Sequence, residues 1–187
     1  MPSTCSPLAV ADAVEAHGDL KVRVRSVQWE CDGVCSYELV DPAGRPLPTF
    51  EAGAHVDVRI DGVGVRQYSL CNDPAERHRY VMAVQRDDHG RGGSRTLHER
   101  VRPGDLLRIS APRNRFPLTL EAGSFLLIAG GIGITPILCM VRTLVREGKP
   151  FRLYVCTRSK ARTPFHDELQ ALSAHGQVHF VHDGGEP

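Results

Sequence analysis

The hydrophobic pattern changes its period once along the chain. From Leu20 to Ser110 apolar and polar residues alternate in short runs: KVRVRSV at 21–27, AHVDVRI at 54–60, RYVMAVQR at 79–86 and DLLRIS at 105–110. A period of two sends successive side chains to opposite faces of a pleated strand, so these runs predict half-buried β-strands. The breaks between them carry turn residues: Asp32-Gly33, Pro42 with Gly44, Asp61-Gly62, Asn72-Asp73-Pro74 and Pro103-Gly104-Asp105. Short strands at such spacing suggest a sandwich or barrel. One short helix, from about Ser94 to Val101, interrupts them.

After Pro117 the rhythm becomes strand and helix in turn. Phe125–Ala129 is wholly apolar and reads as a strand. Ile137, Leu138, Val141, Leu144 and Val145 then form a helical stripe. Thr135 is placed to cap that helix, Pro136 to open it and Gly148 to end it. FRLYVC at 151–156 predicts a second strand, Thr163-Pro164 opens a second helix that Gly176 closes, and VHFV at 178–181 is a third strand. This alternation implies parallel strands joined by right-handed crossovers. The expected organisation is a lead-in over 1–19, a β-domain over 20–118 and an α/β nucleotide-binding domain over 119–187.

Composition narrows the class. The 23 basic and 22 acidic residues nearly cancel, which leaves no electrostatic footprint for nucleic acid. The six cysteines lack a disulfide-scaffold spacing and read as reduced thiols. The C-x4-C-x2-C spacing of a plant-type iron–sulfur cluster is absent. None of the nine histidines has a metal-binding spacing, so no metal is expected, and His55, His78, His89 and His98 read as surface residues or strand neighbours. Asp12 and Glu15 interrupt the apolar start, against a signal peptide. Ala122–Val141 carries no charge and is long enough to cross a bilayer, but Gly130, Gly131, Gly133 and Pro136 at its centre suit a strand, a turn and a helix better. A cytoplasmic protein without a membrane span is expected.

Two stretches offer anion cradles. In LLIAGGIGITPIL, Leu126–Leu138, a glycine-rich turn feeds a helix start, where free N–H groups and the dipole suit a phosphate. The pattern is not G-x-G-x-x-G, because Pro136 stands where the third glycine would be. Glycines alone also fit a tight turn with no ligand. Arg158 and Ser159 follow the second strand, where ligands of open α/β sheets bind, although RSKAR by itself reads as a solvated basic loop. In the β-domain, RQYSL puts Arg66, Tyr68 and Leu70 on one face of a strand and Gln67 and Ser69 on the other. Gly92, Gly93 and Ser94 precede the short helix and form a second anion-binding start.

RQYSLCNDP, RGGS, PRNRFPL and LLIAGGIGITPIL occur in this order, and with them the chain resembles the phthalate dioxygenase and vanillate demethylase type of reductase component, within the ferredoxin reductase superfamily. The resemblance runs from about Val22 to Gly185. It implies an antiparallel Greek-key β-barrel that binds FMN, followed by a parallel-sheet domain that binds NADH. On this resemblance Arg66 reaches the FMN phosphate, with Gln67 beside it in the motif. Tyr68 lies against the flavin and Ser69 near its N5. The backbone of Ala83 and Val84 meets the ring edge. Gly90, Arg91, Gly92, Gly93 and Ser94 wrap the phosphate. Gly131, Gly133, Thr135 and Pro136 line the nicotinamide nucleotide site, and Arg158 and Ser159 face its ribose. No side chain is required as a general acid or base.

Such reductases continue past the third strand, complete the NADH domain and add a [2Fe–2S] ferredoxin domain. A partial α/β domain is therefore expected here, with Phe125–Ala129 as an apolar edge open to a partner or to self-association, and with the iron–sulfur centre in a missing domain or partner. The implied activity passes electrons from NADH through FMN to an iron–sulfur centre serving a Rieske-type aromatic oxygenase or demethylase. The alternatives are an FMN-binding module with little NADH turnover and an FAD- and NADPH-dependent reductase of the same superfamily.

Overall fold

The computed structural model describes residues 19–183. Of the expected lead-in only Asp19 lies within them, and its carboxylate pairs with Arg59 at 2.7 Å. The alternating runs form β1 (Leu20–Cys31), β2 (Val34–Val40), β3 (Ala54–Ile60), β4 (Gly64–Ser69), β5 (Tyr80–Gln85), β6 (Leu106–Ile109) and β7 (Arg113–Asn114). Their order is β4-β3-β6-β1-β2-β5, with β7 added beside β3, and all pairs are antiparallel. β6 returns between the β1–β2 and β3–β4 hairpins, which is the Greek-key crossing. A bridge between Leu70 and Met82 joins β4 to β5 and closes the barrel. The alternation fills its interior, where Val22, Val24, Leu39, Val56, Val58, Met82 and Ile109 are fully buried.

The second sheet is parallel, in the order β10 (Gln177–His182), β9 (Phe151–Thr157), β8 (Phe125–Gly130). Among the described residues three α-helices accompany the two sheets: α1 (Gly93–Arg100), α2 (Ile134–Arg146) and α3 (His166–Ala171). Two helix starts differ from the sequence expectation. α2 begins at Ile134, after a 3-10 turn over Gly131–Gly133, so Thr135 lies inside it. The Thr135 hydroxyl donates to the Ile132 carbonyl at 3.0 Å and caps nothing. α3 begins three residues beyond Thr163. The Thr163 hydroxyl is bonded to Thr157 at 2.7 Å and to the Ser159 carbonyl at 3.0 Å, and its backbone is extended ahead of Pro164. Gly148 ends α2 as expected, at φ 62°.

α2 is the helix on which the fold turns. Besides Ile137, Leu138, Val141 and Leu144 of the expected stripe, Ile134, Thr135, Cys139, Met140 and Thr143 are buried. A helix buried around most of its circumference lies between two layers. One side covers the parallel sheet. The other meets the barrel, where the Gly53 backbone lies against the Cys139 thiol.

Among the described residues β8 is one edge of the parallel sheet, as expected, and Leu126 and Ile128 are each 64% exposed on the face away from α2. An apolar edge with unpaired backbone groups promotes strand pairing between molecules. Ile128→Lys should raise the concentration at which the protein self-associates in light scattering, with stability changed by less than about 0.5 kcal/mol. Unchanged scattering would mean that this edge is not where molecules meet.

Candidate functional site

Two elements of the barrel build the first cradle. Arg66 and Tyr68 pair across β4–β3 with Val58 and Val56, so they share the face of the barrel interior; Gln67 and Ser69 pair with Asp57 and His55 on the other face. Arg66 reaches along the barrel mouth and donates to the Val65 and Arg91 carbonyls, both at 2.8 Å. Its stem lies directly on Gly93, where a Cβ would sit 2.6 Å from Arg66 Cγ. Gly92, at φ 81°, opens α1, whose first turn has neither a side-chain cap nor an acidic residue. Its N-terminal amides are therefore left to water or to an anion. The Ser94 hydroxyl accepts the Asp87 N–H at 3.0 Å, so its own hydrogen remains to be donated.

These residues line an open cleft of about 630 Å³ that also contains Tyr68, Gly90 and Arg91. Two carboxylates border it. Asp57 is held by Arg113 and by Gln67, the latter at 3.1 Å, while Asp87 accepts the His89 N–H at 3.0 Å. A guanidinium, a bare helix start and a glycine pair fit a phosphomonoester. A flat ring would find a floor in Tyr68, half-buried in the barrel mouth, where burial holds the phenol above its usual pKa. The Ala83 and Val84 side chains are buried in the core, so only their backbone could meet such a ring. His98 takes the second of its two expected roles, that of a strand neighbour. From α1 its Nε2 contacts the Val84 carbonyl at 2.8 Å, bracing α1 against β5. The helical spacing that aims His98 at β5 was present in the sequence, but the partner was a backbone atom.

The second cradle lies at the end of β8. Gly131 adopts φ 49°, and a Cβ on Gly130, Gly131 or Gly133 would meet no atom within 4 Å. The loop is thus open on the side a ligand would approach, and it packs against β5. The two cradles therefore converge on one strand. Pro136 sits in the first turn of α2, partly exposed, whereas Thr135 is buried with its hydroxyl engaged. Beyond β9, Arg158 is exposed and Ser159 is extended, and the loop then bends to the barrel, where the Asp32 N–H donates to the Ala161 carbonyl at 3.1 Å. Asp183 donates its N–H to the Thr157 carbonyl at 3.2 Å, a turn contact at the end of β10.

The five cysteines among the described residues are free. Burial raises Cys71 and Cys139 to about 12 and Cys31 to about 11, so these thiols stay protonated at neutral pH. Among the described residues no group of three or more His, Cys, Asp or Glu could hold a metal ion, and no helix is long and apolar enough to cross a membrane.

The profile of the oxidoreductase NAD-binding domain matches residues 127–183. Phthalate dioxygenase reductase of Burkholderia cepacia is 48% identical over 171 residues, covering 91% of this chain and 53% of that protein. The chain is thus similar to oxygenase reductase components over nearly its whole described length. The reductase subunit of tert-butanol monooxygenase / tert-amyl alcohol desaturase from Aquincola tertiaricarbonis is 49% identical over 168 residues, 90% of this chain and 50% of the other. Vanillate O-demethylase oxidoreductase of Pseudomonas putida is 49% identical over 158 residues, 84% of this chain and 49% of the other. The solved structure of phthalate dioxygenase reductase, described as a modular structure for electron transfer from pyridine nucleotides to [2Fe–2S], superposes with a TM-score of 0.85 at 47% identity over 91% of this chain and 53% of that one. The chain spans about half the length of the curated relatives it matches.

Proposed function

We propose that this chain holds FMN in the barrel mouth, accepts reducing equivalents from NADH at the glycine loop, and delivers them to a [2Fe–2S] centre that serves a Rieske-type oxygenase or demethylase. The observation that carries the reading is that α1, which opens the first cradle, and the glycine loop of the second both pack against β5. Arg66, the start of α1 and Ser94 hold the phosphate tail. Tyr68 shelters the ring and Ser69 lies near its N5. The backbone of Ala83 and Val84 meets the ring edge. Gly90 and Arg91 extend the phosphate wrap, and Gln67 steadies the outer face through Asp57. Gly131 and Gly133 admit the nicotinamide nucleotide, Thr135 and Pro136 shape the start of α2 beneath it, and Arg158 and Ser159 face its ribose. FMN, when bound, supplies the exchange between a hydride pair and single electrons. The protein binds, orients and shields; none of its side chains has to move a proton.

Anaerobic addition of NADH to the FMN-loaded chain should bleach its yellow colour. Binding of FMN without bleaching would favour the second reading, an FMN module without turnover, for which the open edge of β8 beside the loop speaks. The segment from Arg158 to Arg162 carries three cations and no carboxylate, which favours testing NADPH beside NADH. Faster bleaching by NADPH that Arg158→Ala abolishes would reverse the nucleotide assignment.

A further inference from the structure

α2 presents two arginines to the barrel near its C-terminal end. Arg142 donates through Nη1 to the Cys71 carbonyl, and its Nε and Nη2 reach the Glu168 carboxylate on α3 at 2.8 and 2.5 Å. One turn later Arg146 pairs with Asp73. Cys71 and Asn72 are fully buried directly after the RQYSL strand. They lie where the barrel closes: the Cys71 N–H donates to the Val81 carbonyl at 2.9 Å, and Leu70 bridges Met82. The barrel seam therefore takes one of its hydrogen bonds from the helix that, at its other end, starts in the glycine loop. Arg142 lines neither cradle. It faces a separate cleft between barrel and sheet, beside Glu30, Ser36 and Arg79.

We propose that Arg142 is a positioning residue that fixes the spacing between strand β4 and the glycine loop; the consequence for hydride transfer rests on the reading of the two cradles given above. A packed helix transmits the constraint as a rigid rod. The planar fork matters, because it serves a carbonyl and a carboxylate at once, whereas a lysine ammonium on a flexible stem cannot hold both in that geometry. The seam also has a built-in reporter. The Cys139 thiol is fully buried between α2 and Gly53, and it becomes reachable only when helix and barrel part.

The test compares Arg142→Met, Arg142→Lys and Glu168→Gln in the full chain by alkylation of Cys139, FMN affinity and the kinetics of anaerobic bleaching by NADH. Arg142→Met should speed Cys139 alkylation by about tenfold through more frequent local opening. It should lower the limiting bleaching rate by about tenfold through misplacement, with half-saturating NADH and FMN affinity changed less than about twofold. Arg142→Lys should recover part of both effects. Should Arg142→Met fail to fold, Glu168→Gln leaves the Cys71 bond in place, loosens the other edge of the fork, and should move the readouts the same way by about threefold. Unchanged Cys139 alkylation overturns the proposal, as does a loss of FMN affinity as large as the loss of rate. A wild-type protein that never bleaches refutes the paired cradles instead, and the alkylation result still decides the spacing.

Discussion

Arg66→Ala should weaken FMN binding by about a hundredfold while leaving riboflavin binding within about twofold of wild type. A hydrogen bond to a charged group contributes about 1.5–3 kcal/mol, and each 1.4 kcal/mol is a factor of ten, so losing the arginine's fork on a phosphate gives that order. Riboflavin lacks the phosphate and does not register the loss. Arg66→Lys should fall between, because an ammonium keeps the charge but not the two-pronged geometry. An independent route to the same pocket is Gly93→Ala. Its Cβ would come within 2.6 Å of Arg66 Cγ and 2.9 Å of Nε, which forces the guanidinium off the Arg91 carbonyl. That variant should lose FMN selectively too, although it adds a favourable helix residue. Titration by flavin fluorescence quenching measures both. Equal losses for FMN and riboflavin would remove the phosphate from this site.

Much of this arrangement was legible from residue patterns because it depends on short-range rules. Strict alternation fixed AHVDVRI as β3, and the turn pairs marked where strands end. The switch to a strand–helix rhythm after Pro117 located the parallel sheet. What stayed hidden depends on partners far apart in the chain. α2 carries a second buried stripe that no single-helix pattern separates from an ordinary apolar face, since its partner is a barrel 70 residues upstream in sequence, as the contact of Arg142 with Cys71 illustrates. The start of α3 slipped because two threonine hydroxyls and a carbonyl hold Thr163 outside the helix, a network that spacing does not encode. Thr135 had the residue type of a cap but not its place, because three glycines allow a 3-10 turn that advances the helix start to Ile134. The contacts of His98 and Asp87 stayed hidden for the same reason: each runs through a backbone atom, and backbone partners leave no mark in a sequence.

Gly53→Ala should be the most damaging alanine substitution among the described glycines. Gly53 adopts φ 95°, and an added Cβ would lie 1.8 Å from the Phe116 carbonyl oxygen and 2.7 Å from its carbon. Both are backbone atoms, so no rotamer change relieves the clash. The segment cannot simply retreat. Asn114 pairs with Ala54 in β7–β3, donates to the Ala52 carbonyl at 3.0 Å, and receives the Phe116 N–H at 3.0 Å. The Gly53 backbone also lies against the Cys139 thiol of α2, so moving it disturbs the seam between α2 and the barrel. Gly44 supplies the internal control. It has a similar left-handed φ of 75°, but nothing lies within 4 Å of its missing Cβ. Gly44→Ala should therefore cost only the backbone term, about 1–2 kcal/mol. Gly53→Ala adds the clash and should cost more than about 4 kcal/mol, which lowers the melting temperature by roughly 10 °C or more for a chain of this size. The difference between the two variants isolates sterics from backbone preference. If their melting temperatures agree within about 3 °C, the loop from Asn114 to Phe116 yields freely. The tight joint between barrel and helix, on which the spacing of the two cradles depends, would then have to be sought elsewhere in the interface.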